Sequence, residues 1–100
     1  MAQLEHPDRR ALRIEDVVAA LDHPVRLHVV RVLAAGGNEE ITCRQFLPDM
    51  TKSGASHHWR VLRQNGIVEQ RREGRHLYMR LRRADLDHRL PGVLDAVVGG

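Results

Sequence analysis

Apolar residues first recur at helical spacing from Ile14. Ile14, Val17, Val18 and Leu21 fall at i, i+3, i+4 and i+7, which is one stripe of a helix. Asp22-His23-Pro24 ends it, because the residue before a proline avoids the helical region, and Pro24 can open the next helix. That second helix, over about 24–35, carries Leu27, Val29, Val30, Val32 and Leu33. It is apolar around much of its circumference, so it is predicted to be the central, most buried helix. Gly36-Gly37-Asn38 closes it. Ile41 to Leu47 reads as a short third helix, with Thr42 as N-cap and Pro48 as its end signal. Thr51 caps a fourth helix over about 52–65, stopped by Asn65-Gly66, with Ala55, Trp59 and Leu62 forming one inward stripe.

The period then changes. From His76 to Arg82 apolar and polar residues mostly alternate, the mark of a half-buried strand, and Gly74 separates this run from Ile67–Arg72. The pair predicts a hairpin with its turn near Arg72–Arg75. Leu86, Leu90, Val93, Leu94 and Val97 make a last helical stripe, which Pro91 divides into a short turn (85–89) and a helix (91–98). The expected order is α-α-α-α-β-β-α, mostly α with a β-hairpin (α+β). A short helix, a tight turn, a longer helix and then an Arg-rich hairpin describe a winged helix-turn-helix. It is expected over residues 13–98, behind a loose polar lead-in over 1–12.

The chain has 100 residues, room for one core only, and three aromatics (Phe46, Trp59, Tyr78), so the core must be built mostly from Leu, Val, Ile and Ala. So small a core gains from apolar surface buried in a homodimer, and the stripes at the two chain ends supply candidates: Val17, Leu21, Leu90, Leu94 and Val97. No apolar run approaches the roughly 18 residues a membrane span needs, and Met1 to Arg10 carries no signal-peptide apolar region, so no membrane partner is expected. The single Cys43 excludes an intrachain disulfide framework, and a cytoplasmic location is the default.

The net charge of +3 conceals a segregation. Residues 1–43 hold five Arg against seven acids, 44–83 hold ten Lys/Arg against three acids, and 84–100 hold one Arg against three Asp. A segment of +7 between two of −2 is the footprint of a surface that meets a polyanion. Fifteen of the sixteen cationic residues are Arg, suited to forked contacts with phosphate or guanine. On the fourth helix Lys52, Ser53, Ser56, His57, Arg60 and Arg63 lie opposite the inward stripe. Small hydroxyl residues there let a helix approach a groove floor, and the positive helix start favours phosphate. At the hairpin tip, Arg71, Arg72, Arg75 and His76 cluster like charges that a DNA backbone or minor groove neutralises.

Other chemistry finds less support. His57 and His58 point about 100° apart on a helix and do not converge on one ion. Ser53 or Ser56 beside His57 has no orienting carboxylate and no Gly-rich oxyanion loop, so no catalytic residues and no enzyme activity are expected. Asp85 and His88, at i, i+3 with Asp87 nearby, make half a metal site at most. Asp85 and Asp87 suit a helix start better. Cys43 reads either as a buried apolar position or as a redox-responsive thiol whose pKa Arg44 would lower. No metal or other cofactor is expected.

Three stretches together resemble the ArsR/SmtB family of small homodimeric winged-helix repressors: Ala20-Leu21-Asp22-His23-Pro24-Val25-Arg26-Leu27, Thr51 through Val68, and Arg72-Glu73-Gly74-Arg75. The resemblance spans about residues 14–82, and Ser56-x-His58-Trp59-x-x-Leu62-x-x-x-Gly66 is its most specific part. It implies that the fourth helix is the recognition helix, that the hairpin is the wing, and that the first and last helices form the dimer interface. It also implies that His58 braces the helix, leaving His57 and Arg60 ahead of it for DNA contact. Many relatives sense metals through a Cys-x-Cys on the third helix or Asp/His on the last. Here the third-helix segment offers Cys43 alone. The expected function is a transcriptional repressor binding double-stranded DNA as a homodimer on a pseudo-palindromic operator, with no effector specified. The alternatives are a winged-helix protein-interaction module that never touches DNA, or a thiol- or metal-responsive form of the same regulator.

Overall fold

The computed structural model describes residues 4–36, 40–49 and 51–99. Helix α1 (Ile14–Leu21) meets α2 (Pro24–Ala35) at a turn in which His23 caps α2: its side chain accepts the Val25 N–H, and Pro24 occupies the first turn. Helix α3 (Lys52–Gln64) is capped by Thr51, whose hydroxyl accepts the Gly54 N–H at 3.0 Å. At its other end Gly66 takes φ +74°. The Gly66 N–H donates to the Arg63 carbonyl and the Ile67 N–H to the Leu62 carbonyl, the paired bonds of a glycine-terminated helix. Strands β2 (Val68–Glu73) and β3 (His76–Leu81) follow, then α4 (Arg83–Arg89) and α5 (Val93–Gly99).

The expected winged helix-turn-helix is present, with differences in detail. The third helix over Ile41–Leu47 is not an α-helix. Ile41–Thr42 forms strand β1, pairing Ile41 with Met79 and Thr42 with Tyr78 on the free side of β3, and Cys43–Asp49 continues as a 3₁₀ helix. Two β-branched residues beside an unpaired strand edge gain ladder hydrogen bonds, and Pro48 cannot supply the N–H an α-helix needs there. Thr42 is therefore a ladder residue and not a cap. The sheet is antiparallel in the order β1-β3-β2. Glu73 pairs with His76, leaving the two-residue turn Gly74-Arg75, with Gly74 at φ +60°. The segment expected as a turn over 85–89 is the helix α4, and α5 begins at Val93 rather than Pro91, after Gly92 at φ +89°. Of the residues closing α2, Gly37 and Asn38 lie outside the described residues.

The core gathers Val29, Val30 and Leu33 of α2, the stripe Ala55, Trp59 and Leu62 of α3, and Val68, Met79 and Leu81 of the sheet. Leu27 and Val32, counted toward the core from the sequence, are half-buried. The lead-in is not loose from His6 onward. The Gln70 N–H on the outer edge of β2 donates to His6 Nε2 at 2.8 Å, and Arg82 Nη1 donates to the Pro7 carbonyl at 2.8 Å. Arg9 pairs with Asp85 at 2.6 Å, and Leu12, 2% exposed, packs over Gly66. A polar segment without strand structure covers the sheet edge here because the His6 ring accepts an N–H that the edge leaves open.

Candidate nucleic-acid interface

Helix α3 turns Ala55, Trp59 and Leu62 inward, so the opposite side must face solvent. Lys52, Ser53, Ser56, His57 and Arg60 are all exposed there. Gly54 has a local reason for lacking a side chain: a Cβ would stand 2.9 Å from the Thr51 capping hydroxyl. The helix is held from behind. Half-buried His58 accepts a hydrogen bond from Arg26 Nη1 at 3.2 Å and lies against His23, ring centres 4.5 Å apart, while Arg26 Nε donates to the Ala20 carbonyl at 2.6 Å. Burial pushes the His58 pKa down, and the neighbouring His23, Arg26 and His57 push it the same way. The two adjacent histidines thus have different surroundings, His58 bracing and His57 exposed.

Arg63 departs from the expected set. It is half-buried, and its Nη1 donates at 2.9 Å to Oε1 of Gln70, a side chain only 3% exposed. It ties the end of α3 to β2 instead of pointing outward. Gln70 Nε2 in turn faces Cys43 Sγ at 3.7 Å and Met79 Sδ at 3.9 Å. This buried amide, passed over in the sequence, links α3, the sheet and the 3₁₀ helix.

The wing separates its arginines in the same way. Arg71 forks onto Glu40 with two contacts of 2.8 Å, reaches Glu73 at 2.7 Å, and lays its guanidinium 4.5 Å from the centre of the Tyr78 ring. Its charge is answered within the protein. Arg80 pairs with Glu69, and Arg82 with Asp85. Arg72, Arg75 and His76 stand exposed at the tip. Among the described residues, no ion pair engages Arg44, Lys52, Arg60, Arg72 or Arg75. Arg44 does not figure in the expected set. It shares a cleft between α3 and the tip end of the wing with Lys52 and Arg75. Its place within the +7 segment was the available signal.

Two expected reactivities change. Cys43 is 4% exposed, and burial pushes its thiol up to about 11, a hydrogen bond from Gln70 and the charge of Arg72 opposing this only in part. The thiolate is disfavoured at neutral pH, contrary to the lowering expected from Arg44. Asp85 is engaged on both oxygens, by Arg9 at 2.6 Å and Arg82 at 2.9 Å. Burial alone would raise its pKa, but these two partners outweigh it and hold the carboxyl below its usual value. Its side chain belongs to the clasp between α4 and the N-terminal segment, not to a site shared with His88.

The expected self-association residues also divide. Val17 (1% exposed) and Leu94 (2%) lie in the protomer's own core and have no surface to offer a second chain. Leu21, Leu90 and Val97 are half-buried against that core. Among the described residues the exposed large apolar side chains are their neighbours Ile14, Val18 and Val98, and Val18 lies on a groove of about 620 Å³ between α1 and α5. No described helix is long and apolar enough to cross a membrane.

Residues 21–71 match the family described as a helix-turn-helix domain. Among curated proteins the chain is similar to YceK of Bacillus subtilis, an uncharacterized HTH-type transcriptional regulator. The two are 30% identical over 83 residues, covering 81% of this chain and 82% of that protein. Among solved structures it is similar to the transcriptional repressor BigR of Xylella fastidiosa, with TM-score 0.66 and 26% identity over 86% of this chain and 83% of that one. It is also similar to a homodimeric winged helix-turn-helix DNA-binding domain from Mycobacterium bovis, a possible ArsR-family regulator. There the TM-score is 0.63 and the identity 29%, over 99% of this chain and 91% of that one.

Proposed function

The chain belongs to the helix-turn-helix family, in the winged form of the ArsR-type transcriptional regulators, and from that premise we propose that it is a homodimeric DNA-binding repressor and not an enzyme. The observation that carries this reading is the distribution of unanswered charge. Arg9, Arg10, Arg13, Arg71, Arg80 and Arg82 are answered by carboxylates and Arg26, Arg63 and Arg89 by carbonyl or amide oxygens, whereas Lys52 and Arg60 on α3, Arg72 and Arg75 on the wing, and Arg44 beside them have neither among the described residues. Residues left this way on one exposed surface suit a phosphate backbone. Lys52, Ser53, Ser56, His57 and Arg60 then address the major groove, and Arg72, Arg75 and His76 the flanking backbone or minor groove. Arg63 and Arg71 hold those elements in place. Two copies associated through Ile14, Val18 and Val98 present two such helices to half-sites about 34 Å apart on a pseudo-palindromic operator. Such a regulator acts in the cytoplasm, where its DNA is.

Salt dependence of duplex binding, read by fluorescence anisotropy, tests this. Arg72→Ala and Arg75→Ala each remove about 0.9 from the slope of log K against log salt. Arg71→Ala changes the slope less, because Glu40 and Glu73 already answer that charge. Equal slopes for wild type and the Arg72/Arg75 double variant refute the wing contact, and absence of duplex binding at low salt refutes the function.

A further inference from the structure

The N-terminal half of α3, the start of the 3₁₀ helix and the tip end of the wing line a cleft of about 410 Å³, within the range of small-ligand sites. Its two halves differ in chemistry. Ala55, Trp59 and Leu77 make an apolar floor, and the floor is firm: Ala55 is 1% exposed, Trp59 is 5% exposed, and Phe46 backs the indole with ring centres 5.6 Å apart. Arg44, Lys52 and Arg75 make a cationic rim, and none has an ion-pair partner among the described residues. A backbone phosphate satisfies the rim but has no apolar surface to place on the indole and the Leu77 side chain. An anion with an apolar body satisfies both halves at once, burying hydrocarbon at the floor while its charge stays at the rim.

We propose that this cleft is a binding site for a small organic anion, an aryl or short-chain carboxylate, whose occupancy opposes DNA binding. The second half rests on the function proposed above. Lys52 and Arg75 belong to both surfaces, so an anion seated on them removes charge that the duplex needs and fills the space between α3 and the wing.

Trp59 is the sole tryptophan of the chain and lies on the cleft floor, so its emission reports occupancy directly and independently of DNA. The probes are 4-phenylbutyrate, its uncharged amide, and inorganic phosphate. The carboxylate should change Trp59 emission saturably, with half-saturation on the order of 1 mM for a ligand of this size. The amide should bind about tenfold more weakly or less, as should the carboxylate to Arg44→Ala or Arg75→Ala protein with an unchanged circular dichroism spectrum. In the second arm 4-phenylbutyrate should release a labelled duplex over the same concentration range. An emission change identical for carboxylate and amide overturns the anion site. So does a response to inorganic phosphate at the same half-saturation, which assigns the rim to the DNA backbone alone. No saturable response overturns it as well. Saturable binding with the duplex retained overturns the regulatory half. A duplex that never binds, with Trp59 still responding, refutes the proposed function and leaves the ligand site standing.

Discussion

Replacing Gly66 by alanine joins the stop signal of α3 to the N-terminal segment. Gly66 sits at φ +74°, and a Cβ built there would lie 1.8 Å from Leu12 Cδ2 and 3.2 Å from Leu12 Cγ. The left-handed conformation alone costs an L-residue about 1–2 kcal/mol. Leu12 must also move, and it is 2% exposed. Full loss of such a side chain from a core costs about 2–5 kcal/mol, which bounds the contribution of its displacement. The segment cannot simply slide, since Arg82 holds the Pro7 carbonyl and Arg89 holds the Leu12 carbonyl at 3.2 Å. The expected loss is about 3–6 kcal/mol, a large part of the roughly 5–15 kcal/mol that stabilises a domain. Urea unfolding followed at Trp59, at fixed protein concentration, should show the midpoint falling by about 2 M. A double-mutant cycle separates the two causes. In a Leu12→Ala background the further change Gly66→Ala should cost only the conformational part, about 1–2 kcal/mol. Equal costs in the two backgrounds, or a total below about 1 kcal/mol in the wild type, refute the reasoning.

Two further outcomes follow from burial and from titration. The wild type should sediment as a dimer and Val18→Asp as a folded monomer, because Val18 is 53% exposed, whereas Leu94→Asp should unfold the protein by burying an unpaired charge; a dimeric Val18→Asp protein refutes the assignment of that face. The pKa values of His58 and His6 are lowered in the fold, both chiefly by burial, so the unfolded chain takes up protons first: stability is fully present above the ordinary histidine value of 6.5 and is lost as pH falls below it. Urea midpoints should therefore drop from about pH 8 to pH 5, and less so in a His6→Gln/His58→Gln variant; equal slopes for the two proteins rule these histidines out.

Much of the fold was legible because its signals are local. Thr51, the stripe Ala55, Trp59 and Leu62, and Gly66 delimit α3 within one stretch, and alternation around Gly74 delimits the wing. What escaped depended on distant partners. Ile41–Thr42 is extended because β3 has a free side, not because of anything in its own neighbours. Leu12 looks like a lone apolar residue until the missing Cβ of Gly66 supplies its seat.

The same distinction governs the surfaces. A helical stripe says which side of α1 or α5 is apolar, but not whether the cover comes from the same chain. Val17 and Leu94 are covered within the protomer, while Val18 and Val98, on the same helices, are not. Charge behaves likewise. The +7 segment contains the exposed cations Arg44, Lys52, Arg60, Arg72 and Arg75, unpaired among the described residues, yet summing by segment treats every arginine as equal. Glu40, counted with the acidic N-terminal part, crosses to the wing and answers Arg71, and Gln70 draws Arg63 inward. A phosphate contact requires a cation with no nearer carboxylate, and that is a property of pairs in space. It moves the emphasis from Arg63 and Arg71 to Arg44, Lys52, Arg60, Arg72 and Arg75, whose spacing along the chain gives no hint that three of them border one cleft.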